Sequence, residues 1–158
     1  MKGDRAAGTK IFERECLGCH KIGDKGFAVG PSLVSSTFRE PLPLMTNILD
    51  PNQYVQPNYV QYVVVDQNGR TFTGLVAAQT AGSVTLKRDK DATDTILRSQ
   101  IDQMAATGKS LMPEGLEKKI TPQEMADLMA YITTAQAADP KAQRLDIGTE
   151  PGLVEPGR

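Results

Sequence analysis

The sequence predicts a mainly α fold interrupted by a small inserted antiparallel β-sheet. Segments at the two ends of the 158-residue chain carry the capping residues and the apolar spacing of amphipathic helices. Between them, residues from about 58 to 98 are rich in β-branched side chains and are divided by turn signals, as in short antiparallel strands. The length fits one globular domain with such an insertion.

The first helix is expected to begin after Asp4, whose carboxylate can cap the free backbone N–H groups, and to end near Cys16. Small and apolar residues recur on adjoining turns of this helix at Ala7, Gly8, Ile11 and Phe12. A second, short helix is expected in the stretch PLPLMTNILDP, because prolines bound it on both sides.

Four strands are expected in the central segment. Runs of β-branched residues separated by turns place them near residues 58–66, 70–79, 83–88 and 94–98. Joined by short turns, they would form a meander, and a small open meander needs a partner surface to be stable. We therefore expect it to pack against the helical part of the domain. Its charged side chains, Asp66 and Lys87 among them, are expected to be solvated.

The last helix has the clearest boundaries. Thr121, Pro122 and Glu124 occupy the N-cap, N1 and N3 positions of a capping box. Its buried stripe is expected to consist of Met125, Leu128, Met129 and Ile132. The helix ends before Pro140. The tail, residues 139–158, has few apolar side chains and is expected to be extended or mobile.

Composition and charge exclude several classes of function. A formal net charge of −1 gives no basis for nucleic-acid binding. No stretch approaches the roughly 18 consecutive apolar residues of a membrane span, so none is expected in this chain. The sequence also does not begin with a signal peptide.

The strongest chemical signal lies in the stretch ECLGCHKIG. It contains both cysteines and the only histidine of the chain, Cys16, Cys19 and His20. Random placement of two cysteines and one histidine would give this C-x-x-C-H spacing on the order of once in 10⁴ sequences. The arrangement therefore indicates a chemical role.

Four roles fit such a motif to different degrees. A thioredoxin-like redox site should follow a buried strand, whereas the residues before Cys16 are charged and helical in pattern. A structural zinc site needs four ligands, and the chain offers three Cys and His side chains. A disulfide between the two cysteines would leave His20 unexplained. Covalent haem attachment, for which C-x-x-C-H is the recognised signature, accounts for all three residues.

The spacing of the motif suits a haem. Two cysteines three residues apart can reach two vinyl groups on one edge of the porphyrin as thioethers, and the next residue then projects its imidazole over the iron. We therefore expect Cys16 and Cys19 to attach one haem c and His20 to be its proximal axial ligand. Such haem is normally attached outside the bacterial cytoplasm. We accordingly expect a periplasmic or otherwise exported protein, whose signal sequence or parent chain is not included in this sequence.

The sixth iron ligand is expected to be a methionine, because the chain has no second histidine. Two of the six methionines belong to the stripe of the last helix. Met112 lies instead in GKSLMPEGL, where Pro113 restricts it to an extended geometry that can aim its thioether at the iron. Met112 is the predicted ligand, with Met104 and an open sixth position as the alternatives. The inserted sheet is expected to support this loop from the methionine side.

These motifs, taken in order, resemble class I cytochrome c. The resemblance rests on G-x-x-x-F before C-x-x-C-H, then on VGPSL, on a methionine followed by proline, and on LMAYI near the end. More specifically, ILDPNQYVQPNY, NGRTFTGLV and SLMPEGL resemble the haem-binding domain found in large multidomain proteins of planctomycetes and verrucomicrobia. This resemblance covers roughly residues 5–137.

The resemblance implies a cytochrome c domain over residues 1–138, interrupted by the β insertion at about 58–98. In that family the first and last helices cross. The crossing implies that Gly8 and Phe12 meet Tyr131 and its neighbours.

The resemblance also implies electron transfer rather than enzyme activity. Ligation by histidine and methionine fills both axial positions, and the carbonyl of Pro31 would accept a hydrogen bond from the His20 imidazole. The expected partners are redox proteins or fused dehydrogenase-type domains, docked weakly and transiently. Two alternatives would use a labile sixth ligand: a peroxidase-like haem enzyme and a redox or gas sensor.

Overall fold

Three α-helices form within the residues that the computed structural model describes, which are 1–34 and 40–138. They are α1 (Arg5–Glu15), α2 (Pro41–Leu49) and α3 (Pro122–Ala138). All three lie where the sequence predicts a helix, so these predictions are confirmed. No helix in the described part of the chain is long and apolar enough to cross a bilayer. The tail, residues 139–158, for which we expect an extended or mobile conformation, lies outside the described residues.

Side-chain caps fix the starts of α1 and α3. The Asp4 carboxylate accepts a hydrogen bond from the backbone N–H of Ala7 at 2.7 Å. At α3, the Thr121 hydroxyl accepts from the N–H of Glu124 at 3.2 Å, and the Glu124 carboxylate accepts from the N–H of Thr121 at 2.8 Å. This reciprocal pair confirms the predicted capping box. Glu124 also pairs with Arg14 at 3.1 Å, which links the two helices.

Helices α1 and α3 cross at Gly8, where no side chain separates them. A Cβ atom built on Gly8 would meet the backbone oxygen of Asp127 and would lie 2.9 Å from the Cβ atom of Tyr131. One turn along, the rings of Phe12 and Tyr131 have centroids 5.5 Å apart and planes inclined at 53°. The Asp127 carboxylate also accepts a hydrogen bond from the N–H of Asp4 at 2.7 Å. The crossing that the resemblance implies is therefore confirmed.

Two antiparallel sheets accompany the helices in the described part of the chain. The smaller pairs β1 (Lys21–Ile22) with β2 (Lys25–Gly26). The larger contains β3 (Val60–Asp66), β4 (Thr71–Gln79), β5 (Ser83–Lys87), β6 (Thr93–Leu97) and β7 (Ile101–Ser110). Its strand order is β6–β5–β4–β3–β7. Strands β3 to β6 form the predicted meander, and β7 returns to pair with the free edge of β3.

The prediction of a mainly α fold is wrong. Helices, including short 3₁₀ turns, account for 37% of the described residues and strands for 30%, so helix and sheet are comparable in extent. The prediction lacked the small pair and the whole of β7. Strand β7 has the sequence IDQMAATGKS, with few β-branched or apolar residues, and most of its side chains are exposed. Its strand conformation comes from backbone pairing with β3 rather than from its own propensity.

Two separate apolar clusters stabilise the fold. One joins the three helices and the loops around them, and its most deeply buried members are Phe12, Leu44, Leu128 and Ile132. The other belongs to the five-stranded sheet and has as buried members Val64, Val84, Leu86 and Ile96. Ile96 of β6 and Met104 of β7 belong to this same cluster although their strands are the two edges. The sheet therefore curls around an apolar core of its own.

Candidate functional site

Both cysteines and the histidine lie on the turn that continues α1. Cys16 ends the helix by donating its N–H to the Phe12 carbonyl oxygen at 2.9 Å. The N–H groups of Cys19 and His20 both donate to the carbonyl oxygen of Cys16, at 3.1 and 2.9 Å. This turn brings all three side chains of the motif to the wall of one cavity.

Cys16 and Cys19 form no disulfide, and burial disfavours the thiolate form of both. Burial, the Glu15 carboxylate and the Cys19 thiol, in that order, raise the pKa of Cys16 to about 12. Burial also raises the pKa of Cys19, with a smaller effect from the Asp89 carboxylate. Redox-active and metal-binding cysteines have lowered pKa values instead, which disfavours a thioredoxin-like site. A zinc site is disfavoured as well, because no group of three or more His, Cys, Asp or Glu side chains among the described residues could hold a metal ion.

A cavity of about 260 Å³ brings together all five site residues that the sequence predicts. Cys16, Cys19, His20, Pro31 and Met112 all line it. Further apolar side chains on its wall come from α2, α3 and the segments that precede these helices, namely Leu33, Leu44, Ile48, Leu116 and Ile132. A mostly apolar cavity with a few convergent polar groups is the usual form of a cofactor site.

His20 is buried and is oriented by one hydrogen bond. Its side chain is 8% exposed, and its Nδ1 atom lies 2.8 Å from the carbonyl oxygen of Pro31. Because a carbonyl can only accept, Nδ1 carries the proton and the neutral ring has its lone pair on Nε2. Burial lowers the pKa of His20, and the Pro31 hydrogen bond opposes this in part. The ring is therefore neutral at neutral pH, and Nε2 can bind a metal.

Gly30 is a further site residue, which the sequence alone did not reveal. A Cβ atom at this position would lie 2.6 Å from Cε1 and 3.1 Å from Nε2 of His20. Any larger residue would therefore displace the imidazole. The available signal was the glycine directly before Pro31, since glycine permits a close approach of the backbone to another group.

Met112 and Met104 lie in different parts of the fold. Met112 lines the cavity and packs against the cluster of the three helices. Met104 lies in β7 opposite Val64 and packs against the cluster of the sheet. Of the two methionines considered as ligands, Met112 is the one on the wall of the cavity that His20 also lines.

The five-stranded sheet contributes to the cavity wall and also contacts the cysteine motif. Leu75 of β4 lines the cavity, and β7 ends at Ser110, two residues before Met112. The hairpin between β5 and β6 reaches the attachment motif itself, where the N–H of Lys90 donates to the carbonyl oxygen of Gly18 at 2.7 Å. The sheet therefore contacts the cysteine motif as well as the loop of Met112.

Two charged residues of the sheet are not solvated as expected. The Lys87 ammonium donates to the Ala28 carbonyl oxygen at 2.8 Å and pairs with Asp91 at 2.7 Å. Asp66 is 2% exposed, and its carboxylate accepts from the backbone N–H and the Nε of Arg70 at 2.9 and 2.6 Å. Both side chains stabilise turns through these contacts. The sequence shows only that they lie near turns, and this position is equally typical of a solvated charge.

The residues around the cavity fit a covalently bound haem. Two free thiols, one neutral imidazole and one thioether line the same mostly apolar space. Thioether bonds to two cysteines, with histidine and methionine as axial ligands, form the ligand set of a c-type haem. An apolar wall suits the flat hydrophobic macrocycle.

The chain matches a known family over most of its length. The model of the family described as cytochrome c matches residues 5–136. No curated protein matches the chain. The matched range includes the five predicted site residues and the whole of the five-stranded sheet.

Proposed function

This chain belongs to the cytochrome c family, and on that premise we propose that it transfers electrons through one haem c with His20 and Met112 as axial ligands. Membership of the family implies covalently bound haem, iron binding and electron transport. One observation supports the particular ligand set: Cys16, Cys19, His20 and Met112 line the same cavity.

Each cavity residue has a proposed role that follows from its chemistry. Cys16 and Cys19 would hold the haem by thioether bonds, and His20 would bind the iron through Nε2. Pro31 orients the ring of His20, because its carbonyl oxygen accepts the Nδ1 proton at 2.8 Å, and this hydrogen bond makes Nε2 a more basic ligand. Met112 would supply its thioether as the sixth ligand. When bound, the haem supplies a one-electron couple whose potential is raised by methionine ligation.

We propose electron transfer rather than catalysis because the chain's own residues would fill both axial positions. An iron that binds His20 and Met112 has no free position for a substrate. A peroxidase-like enzyme would also need an acid–base group beside the iron, and this group is usually a second histidine. The chain has a single histidine, His20, which is the proposed proximal ligand. A redox or gas sensor would need Met112 to leave the iron readily. Carbon monoxide and cyanide should therefore bind the reduced and oxidised protein poorly, and ready binding would favour these alternatives.

The proposed setting is an exported electron-transfer system. Its partners would be redox proteins, or dehydrogenase-type domains fused to this one, and docking would be weak and transient so that turnover is fast. The stretches ILDPNQYVQPNY, NGRTFTGLV and SLMPEGL support the proposal that this is a domain of a large planctomycete or verrucomicrobial protein.

Covalent attachment is tested by denaturing the haem-loaded protein in an acidified organic solvent. The haem should stay with the polypeptide, and its reduced pyridine adduct should show a c-type band. A protein in which both Cys16→Ala and Cys19→Ala are made is the control and should release any haem it holds. Release of haem from the wild-type protein would contradict the proposal.

Ligation by Met112 is tested by the weak near-infrared sulfur-to-iron charge-transfer band of the oxidised protein. Met112→Ala should abolish the band, lower the reduction potential and open the iron to cyanide. Met104→Ala is the matched control and should keep the band, because Met104 packs in the core of the sheet. The assignment is wrong if the control loses the band and Met112→Ala keeps it.

A further inference from the structure

The loop that carries Met112 is held through its backbone by two hydrogen bonds to the segment that follows α2 and by one within the loop. The N–H of Ser110 donates to the side-chain oxygen of Asn52 at 2.8 Å. The next N–H, that of Leu111, donates to the carbonyl oxygen of Tyr59 at 3.4 Å. The N–H of Met112 donates to the hydroxyl of Ser110 at 3.1 Å. Three consecutive backbone donors are thus satisfied by contacts that fix the loop.

Asn52 also reaches the other end of this loop. Its side-chain nitrogen donates to a carboxylate oxygen of Glu114 at 2.5 Å, and Glu114 pairs in addition with Lys109 at 3.7 Å. The partners fix the orientation of the amide, because the N–H of Ser110 can only donate and a carboxylate can only accept. One side chain therefore ties position 110 to position 114, with Met112 at the centre of the five residues.

Asn52 is attached to a well-packed part of the cavity wall. It lies three positions after the end of α2, whose residues Leu44 and Ile48 are 2% and 7% exposed and line the cavity. Pro51, directly before Asn52, is buried and lines the cavity as well. Asn52 is half-buried, and its hydrogen bond to Ser110 is partly shielded from water, whereas its hydrogen bond to Glu114 is exposed. The loop is thus tied to a wall that is itself firmly packed.

We propose that Asn52 is a positioning residue that keeps the Met112 loop closed on the cavity and so determines how readily Met112 leaves the iron. This inference rests on the proposed ligation by Met112. The loop exchanges between a closed and an open arrangement, and hydrogen bonds made only in the closed arrangement favour it. Loss of both Asn52 hydrogen bonds should raise the open fraction about tenfold.

The test measures imidazole binding to the oxidised, haem-loaded protein. Binding is monitored by the loss of the sulfur-to-iron charge-transfer band. Imidazole competes with Met112 for the iron, so its apparent affinity is proportional to the open fraction. Asn52→Leu has nearly the same shape, removes both hydrogen bonds and should bind imidazole about tenfold more tightly than wild type. Asn58→Leu is the matched control, because Asn58 is exposed and lies outside the cavity wall, and it should bind imidazole as wild type does.

A rescue experiment separates positioning from general loss of stability. Asn52→Asp keeps an acceptor for Ser110 but places a second carboxylate against Glu114, so imidazole should bind more tightly. Combining it with Glu114→Gln exchanges the donor and the acceptor of that hydrogen bond and should restore affinity towards the wild-type value. If Asn52→Leu does not fold, the comparison of Asn52→Asp with the Asn52→Asp, Glu114→Gln double variant tests the positioning role of Asn52.

Two results would overturn the proposal in distinguishable ways. Equal imidazole affinity in wild type, Asn52→Leu and Asn52→Asp, with the band present in each without imidazole, would refute the role of Asn52 and leave ligation by Met112 intact. A wild-type protein without the band would refute ligation by Met112 and the role of Asn52 together.

Discussion

The crossing of α1 and α3 at Gly8 makes a sharp prediction about packing. Gly8→Ala adds one methyl group, which would meet the backbone oxygen of Asp127 and lie 2.9 Å from the Cβ atom of Tyr131. The second distance is about half an ångström inside ordinary contact. No change of rotamer can move a backbone oxygen or a Cβ atom away. The two helices must therefore shift apart to admit the methyl group.

Two opposing effects set the expected size of this change. Alanine is favoured over glycine in a helix by about 1 kcal/mol. Overpacking of a tight contact costs about 1–3 kcal/mol, and the upper end applies here because backbone yields least. Moving the helices apart also loosens the Phe12–Tyr131 pair, which contributes about 1 kcal/mol. The variant should be less stable by about 2–3 kcal/mol.

Thermal or denaturant unfolding of the haem-loaded protein measures this difference. A loss of about 2–3 kcal/mol corresponds to a fall in Tm of about 5–10 °C for a chain of this size. Gly82→Ala is the control, because a Cβ atom there has nothing within 4 Å, and it should unfold as wild type does. A Gly8→Ala protein as stable as wild type would refute the claim that the crossing has no room for a side chain.

Two further predictions concern the proximal histidine and the links between the helices. Gly30→Ala should push the His20 ring, whose Cε1 would lie 2.6 Å from the new Cβ atom, and so change the absorption spectrum and reduction potential of the haem-loaded protein; an unchanged spectrum and potential would contradict the close contact. The N–H of Thr121 and then the side chain of Arg14 lower the pKa of Glu124 in the folded protein. The ionised Glu124 carboxylate therefore contributes its full stabilisation above the unfolded-state pKa of about 4.3, and this contribution is lost as the pH falls through the lower pKa of the folded state. Glu124→Gln should therefore lose less stability than wild type between pH 7 and pH 3, as measured by unfolding midpoints, and an equal loss in both proteins would contradict this.

The features that the sequence predicted depend on neighbours in the chain. Asp4 caps α1 through the N–H three residues later, and Thr121 and Glu124 cap α3 over the same spacing. Cys16, Cys19 and His20 lie within five positions, so their chemistry needs no knowledge of the fold. Capping geometry follows from the residue types and their spacing in the chain, and the predicted caps of α1 and α3 are confirmed for that reason.

The features that the sequence missed depend on distant contacts. Strand β7 has weak strand propensity and is formed by pairing with β3, about 40 residues earlier. Asn52 and Ser110 are hydrogen-bonded across 58 positions, and nothing in the stretch ILDPNQYVQPNY indicates that Asn52 contacts a residue so distant in the chain. The mainly α prediction failed for the same reason, because it counted elements by local propensity and left out a strand that only the folded sheet defines.

The pairing of Val60 with Ser110 closes the inserted sheet at the point where the chain leaves the helical part. The inserted segment from Val60 to Ser110 is long in sequence, yet its two ends are neighbours once β3 and β7 have paired. The entropy of closing this loop is thus borne by the sheet and not by the haem cavity. His20 lies four positions after Cys16, whereas Met112 follows the end of β7 by two residues, so that closure of the ladder would bring Met112 near the cavity. During refolding, the proposed sixth ligand should therefore return to the iron at the rate at which β3 pairs with β7.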